Sequence, residues 1–318
     1  MTRGIQARSL DSGDVGEAVA TVAEPLLDAL AGGEPSDDVD WVADTDRVVD
    51  ADRVALVPDV HYPYHPSTGM TTNPDVVGAL LSALTSRRPG VDPVLAVRSG
   101  PEVDTRRTVG YLGFDDVANE HGATVAVLDD AATTDVETST GTRTIPTPLA
   151  DAAVVPVPSA RIDGALPLFG SLALLARTVG TDPTDATSVA RVVKTVDPVG
   201  AVVDATYTFT GKPARARALL AGADVAAVEH ALARLLDVDT GQIPGFGGAA
   251  RATDTGERSA RRSAASSVEG LDVDGLAAAL PDGELPASTE PHRLVRAGYR
   301  LYTRVSGDVY PPQLEADG

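Results

Sequence analysis

The sequence predicts an α/β fold: a three-layer domain with a mainly parallel sheet, helices on both faces, an N-terminal helix and a C-terminal extension. Two observations carry this. Short Val-rich runs, apolar at nearly every position, recur at 53–57, 93–97, 124–128, 153–157 and 201–205. Strands of that kind are buried on both faces, as in a parallel sheet covered by helices. Between the runs lie segments with apolar residues at helical spacing, the alternation from which such folds are built.

Asp14 to Ala31 places Val15, Val19, Val22, Leu26, Leu27 and Leu30 on one face and stops at Gly32-Gly33. It reads as an amphipathic helix kinked at Pro25. An acidic linker, Glu34 to Asp40, leads to Trp41, read as packing this helix on the rest. Asn73 to Leu84 has the strongest helix start: Asn73 caps, Pro74 takes the first position and Asp75 faces the positive end of the dipole. Phe114 to His121 reads as a short helix closed by Gly122. Ala165 to Val179, Thr184 to Thr195 and Asp224 to Leu236 are read as helices, the last capped by Asp224. Asp272 to Leu280 and Glu290 to Val305 follow. The chain is thus expected to divide into an N-terminal helix and acidic linker (1–48), an α/β core (49–248) and a C-terminal extension (249–318).

Composition bounds the chemistry. Acids number 46 and bases 26, a formal net charge of −20, and only Lys194 and Lys212 are lysines. Such an excess of carboxylates repels itself in dilute solution. In molar salt the Debye length falls to roughly 3 Å and the repulsion is screened. The surface therefore reads as tuned for a salty cell interior, and it argues against nucleic acid as a partner. The absence of cysteine excludes disulfides, thiolate metal sites and cysteine-held iron–sulfur clusters. No apolar run approaches the roughly 18 residues that span a bilayer, and Met1 to Ser9 lacks a signal-peptide core, so a cytoplasmic protein with no membrane partner is expected. No Walker or Rossmann nucleotide motif occurs. Gly245, Gly247 and Gly248 have neither a leading strand nor a following Lys, and read as a hinge.

Ligands of parallel α/β sheets bind beyond the carboxyl ends of the strands. The segment after the first core strand, Pro58 to Pro74, holds Asp59, His61, Tyr62, Tyr64 and His65, and it runs into a helix N-terminus where Thr71, Thr72 and Asn73 can add polar contacts. It reads either as a ligand-binding loop or as a connection stiffened by proline. Asp59 and His61 are the acid/base candidates, and His61 and His65, with Asp59, are the metal candidates. Other strand ends add Arg98, Ser159, Arg161 and Asp204. Arg98 and Arg161, with Arg106 and Arg107, would suit a phosphate or carboxylate. Glu229 falls near the apolar stripe of its helix and reads equally as a structural acid or a site residue. Arg293, Arg296, Arg300 and Arg304 form a basic stripe, read as pairing with the acidic body.

Three blocks carry a resemblance. Thr68-Gly69-Met70-Thr71-Thr72-Asn73-Pro74-Asp75 follows an apolar strand. Val154 to Gly170 is the second block, and Leu220-Ala221-Gly222-Ala223-Asp224-Val225-Ala226-Ala227-Val228-Glu229 the third. Together they resemble the DUF362 family, and the chain looks like a salt-adapted, haloarchaeal-type member. It departs from the family pattern at Val57, where a Lys is expected, at Asp59 for Asn, at Ser159 and Arg161 for two lysines, and at Glu229 for Asp. The resemblance brings no settled activity or cofactor. The resulting expectation is a small-anion-binding α/β protein, either an enzyme or a non-catalytic binding or scaffold protein descended from one.

Overall fold

A computed structural model describes residues 5–10, 15–30, 52–100, 103–138, 141–247 and 268–281. In chain order the elements are β1 (Ile5–Ser9), α1 (Val15–Val22), α2 (Glu24–Leu30), β2 (Arg53–Pro58), α3 (Pro74–Arg87), β3 (Asp92–Val97), α4 (Thr105–Leu112), α5 (Phe114–Glu120), β4 (Thr124–Val127), β5 (Thr133–Thr138), β6 (Gly141–Pro146), α6 (Thr147–Ala150), β7 (Ala153–Val157), β8 (Ser159–Asp163), β9 (Leu166–Phe169), α7 (Ser171–Thr178), α8 (Ala186–Val196), β10 (Ala201–Phe209), β11 (Pro213–Ala214), β12 (Ala218–Gly222), α9 (Val225–Leu235), β13 (Val268–Glu269) and α10 (Val273–Ala279). The class is the α/β one expected, but the strands form two main sheets and a hairpin rather than one sheet.

The first sheet is parallel throughout, in the order β4-β3-β2-β7. Its strands are apolar at nearly every position because both faces are covered. Val54, Leu56, Leu95, Val97, Val155 and Val157 join the core layer of α1, α2 and α3, while Ala55, Val57, Val94, Ala96 and Val154 join the layer of α6 to α9. Strand alternation sends successive side chains to opposite faces, so each strand feeds two cores. The second sheet is mixed, in the order β13-β1-β12-β10-β8-β9, with β11 on β10. β1 and β13, far apart in sequence, pair within it in parallel. Among the described residues no helix is long and apolar enough to cross a membrane.

The sheets meet at Pro158. β7 ends at Val157 in the parallel sheet and β8 begins at Ser159 in the mixed one, so the chain changes sheets across one proline. Proline has no N–H with which to continue a ladder. The freed carbonyls are taken by other parts of the chain: Val157 O accepts from the Thr72 hydroxyl at 2.6 Å, and Pro158 O from Asp204 N at 2.9 Å.

Several sequence expectations change. Residues 165–179 are not one helix: Leu166–Phe169 is a strand, and the helix starts at Ser171. A four-residue apolar run fits either class by pattern alone. The N-terminal helix is two, broken at Ala23, with Pro25 in the first turn of the second. The strand at 201–205 continues to Phe209, so Asp204 lies inside it rather than at its end. Helices at 114–121, 184–195, 224–236 and 272–280 appear within two residues of their expected bounds, and the one at 73–84 runs three residues further, to Arg87. Trp41, the acidic linker and the Arg293 to Arg304 stripe lie outside the described residues.

Candidate functional site

The segment between β2 and α3 is a closed loop. Asp59 N donates to the Thr72 hydroxyl at 2.8 Å and Thr72 N donates to Asp59 O at 3.0 Å, so its two ends are tied together. Such compact loops, closed at the neck and packed by their own side chains, are often functional. Inside it Thr71 Oγ1 donates to Tyr64 O, and a short 3-10 turn, Pro66–Thr68, is capped by the His65 ring, which accepts from Ser67 N. Gly69 follows at φ +71°. A Cβ there would fall 2.4 Å from the backbone of Thr208, so strand β10 approaches too closely for any other residue.

Beneath the loop lies a buried polar knot. Asp59, Ser159 and Arg161 are all at most 1 % exposed. Asp59 Oδ2 forms an ion pair with the Arg161 guanidinium and accepts from Ser159 Oγ at 3.0 Å; its Oδ1 accepts from His61 N at 3.2 Å. Arg161 Nη1 also donates to Met70 O, 2.8 Å away. Next to the knot, Asp204 accepts from Asn73 N at 2.6 Å and from the Thr206 amide and hydroxyl. Burial pushes the Asp204 carboxyl up, against the pull of the Thr206 and Asn73 hydrogen bonds. Asn73 caps α3 through Asp75 N as expected. Thr71, Thr72, Asn73, Asp204, Ser159, Asp59 and Arg161 therefore hold the loop onto the seam between the sheets.

A second group surrounds this knot. The Phe169 ring carries two guanidiniums over it, Arg161 at 3.7 Å and Arg177 at 4.5 Å from the ring centroid. Arg177 reaches from α7 and acts electrostatically on His61, a buried ring whose pKa is held well below its ordinary value by burial first and by Arg177 second. Gly100 lets the strand-end segment after β3 close on that ring, since a Cβ would stand 2.6 Å from His61 Cε1. Gly100 N also donates to His61 O at 3.0 Å. Arg98, two residues earlier, pairs with Asp129 at 3.2 Å and donates to Leu128 O. Its guanidinium lies against Gly180, three residues beyond Arg177. Arg98, His61 and Arg177 thus gather over the carboxyl ends of β2 and β3, and Arg98 and Arg177 are partly exposed.

Glu229 is wholly buried one layer away. Its Oε2 accepts from Ser171 N at 2.8 Å, beside Gly170, the residue after Phe169. Burial pushes its carboxyl up to about 7, opposed by hydrogen bonds from the Ser171 and Leu172 amides.

The seam thus brings together Asp59, His61, Thr72, Ser159 and Arg161, with Asn73 and Asp204 adjoining and Glu229 linked through Phe169-Gly170. The four arginines do not form one cluster: Arg161 is enclosed, Arg98 sits at a strand end, and Arg106 and Arg107 are exposed on α4. His65 is exposed and bonded to Ser67, and among the described residues no three His, Asp or Glu side chains gather to hold a metal. Val57 is wholly buried in the core layer of Leu172 and Ala176. Sequence reasoning missed Arg177 and Phe169. The available signal was that Arg177 is the one charged residue in the apolar stretch Ser171–Thr178.

Comparison with protein families gives one match: the model of a domain of unknown function (DUF362) covers residues 54–234, more than half of the chain. No curated protein and no solved structure matches it.

Proposed function

The chain belongs to the DUF362 family, and from that premise we propose that it binds a small oxyanion, a phosphate or a carboxylate, over the carboxyl ends of β2 and β3. Arg177 and Arg98 are the cationic contacts, and His61 is a neutral donor or acceptor beside them. The observation that carries this reading is the approach of Arg177 to His61. A guanidinium borne on α7 and stacked on Phe169 acts electrostatically on the His61 ring, whose pKa is lowered first by burial and second by this charge, at the place where parallel sheets take their ligands. A guanidinium presents paired N–H groups that match the geometry of phosphate and carboxylate. Arg161 serves as an internal counter-charge to Asp59 rather than as part of the clamp.

The same geometry favours binding over catalysis by Asp59. Both Asp59 oxygens are engaged inside the core, so the group is a brace. Any proton transfer to a bound ligand falls to His61, which is neutral near pH 7. The acidic, lysine-poor surface supports the further reading that the protein works in concentrated salt, and binding is best measured there.

The test is a titration of phosphate, and separately of small carboxylic acids, into the protein in concentrated potassium chloride. Saturable binding that weakens about tenfold or more in Arg177→Gln and in Arg98→Gln is expected, the size of a lost charged hydrogen bond. A ligand that is bound and left unchanged marks a binding protein. Turnover that vanishes in His61→Gln while binding persists marks an enzyme.

A further inference from the structure

Helix α7, which carries Arg177, has an unusual start. The first amides of a helix lack partners within it, and here they are buried: Ser171 is 0 % and Leu172 1 % exposed. The residue at the cap position, Gly170, has no side chain to offer. The cap comes instead from α9, 58 residues further on, where Glu229 Oε2 accepts from Ser171 N and the carboxyl also takes the Leu172 amide. Gly170 makes room for it, because a Cβ at that position would stand 2.4 Å from Glu229 Oε1. Glu229 Oε1 and Ser171 Oγ have no hydrogen-bond partner among the described residues, so this carboxyl is held on one side only.

Resting on the anion site proposed above, we infer that Glu229 is a positioning residue for that site: its carboxylate fixes the start of α7 from another helix and so holds Arg177 over the strand ends. Carboxylate charge at a helix N-terminus interacts favourably with the amide dipoles, and the interaction weakens when the group takes a proton. Burial brings that protonation to about pH 7. The charged or titratable groups on the elements packed against α9 are Arg177 on α7, Asp204 and Tyr207 on β10, Arg8 on β1 and Asp274 on α10; β12 has none, and α9 itself carries His230 and Arg234 behind its Asp224 cap. None of these is a cause of the Glu229 shift, which comes from burial and is opposed by the two amides. His61, held well below its ordinary value, stays neutral over the same range.

The experiment follows two readouts between about pH 6 and pH 8 in the wild type, Glu229→Gln, Gly170→Ala and Arg177→Gln. One is hydrogen-exchange protection of the α7 amides. The other is binding of inorganic sulfate, which does not titrate in this range. In the wild type, protection of the α7 amides against local fraying, in which Glu229 stays buried, should rise with pH even as global stability falls, and sulfate should bind about threefold more tightly at the upper end, the scale of one charge–dipole interaction. Both pH steps should vanish in Glu229→Gln, and Gly170→Ala, which displaces the carboxyl, should lower protection and affinity at every pH. Arg177→Gln should lose sulfate binding and keep the pH step in α7. Sulfate binding whose pH step survives in Glu229→Gln would overturn the positioning role and leave the anion site standing. A wild type that binds no sulfate, with α7 protection still following Glu229, would overturn the anion site and the positioning role together, leaving only the cap.

Discussion

The Asp59 brace and the Glu229 cap are two wholly buried carboxyl groups linked through Phe169, and the chain holds them in opposite ways. Asp59 has both oxygens engaged: the Arg161 guanidinium and the Ser159 hydroxyl meet one, and the His61 amide meets the other. Glu229 accepts the Ser171 amide on Oε2, with the Leu172 amide also acting on the carboxyl, and its Oε1 has no hydrogen-bond partner among the described residues. A buried charge is tolerable when a counter-charge and hydrogen bonds replace water. Where only neutral amides are offered, the carboxyl drifts toward its protonated form. The first arrangement locks the seam between the sheets. The second leaves a group that changes charge near neutral pH at the head of the helix bearing Arg177.

The largest effect is expected at the brace. Asp59→Ala leaves the Arg161 guanidinium in the core without its carboxylate, and should cost on the order of 3–5 kcal/mol in denaturant unfolding. Replacing both members by apolar residues, Asp59→Leu with Arg161→Met, should recover most of that loss. A double variant no more stable than the single one would show that the knot does more than neutralise itself.

The cap should show a smaller effect with a distinct pH signature. The folded carboxyl titrates at about 7, against 4.5 for the ordinary group. Between those values the folded state keeps a proton that the unfolded state has released. Stability from this group is therefore full below about pH 4.5 and falls as pH rises toward 7, by about 3 kcal/mol. Glu229→Gln should remove that part of the slope in unfolding measured across the range, and an unchanged slope would count against the raised carboxyl.

Smaller still is the neck of the loop. Thr72→Val removes a hydroxyl that serves both Asp59 N and Val157 O, and should cost about 1–3 kcal/mol by leaving buried backbone groups without a partner. The smallest effect is at His61. Its imidazole should remain neutral from pH 8 to well below 6.5 by NMR titration, and Arg177→Gln should raise its pKa, because the guanidinium is the second cause of the depression after burial.

How much of this was legible in the sequence depended on which forces act locally. Strands β2, β3, β4 and β7 were legible because burial on both faces leaves an unbroken apolar run. Helix α3 was legible because Asn73, Pro74 and Asp75 spell its start. The mixed sheet was largely illegible: β8 carries Ser159 and Arg161 as strand residues because they are satisfied by Asp59 across 100 and 102 positions of chain, and no local pattern records that. Leu166–Phe169 reads as the start of a helix until β8 is there to pair with it. In the site, strand-end logic found Asp59, His61, Arg98, Ser159 and Arg161, but not that Asp59, Ser159 and Arg161 brace one another inside the core. Asp204 looked like a strand terminus because its polarity interrupts the run, yet β10 continues past it by turning that carboxylate toward the Asn73 amide. Arg177 comes into the site only through the packing of α7 onto the parallel sheet.

Whether Arg177 and Arg98 form an oxyanion site over the strand ends is decided by calorimetric titration of phosphate into the wild type, Arg177→Gln and a Lys212→Gln control, in concentrated potassium chloride. One saturable site is expected in the wild type and in the Lys212 variant, weakened about tenfold or more in the Arg177 variant. No saturable binding in the wild type, or equal affinity in all three proteins, would rule out an oxyanion site at these two arginines.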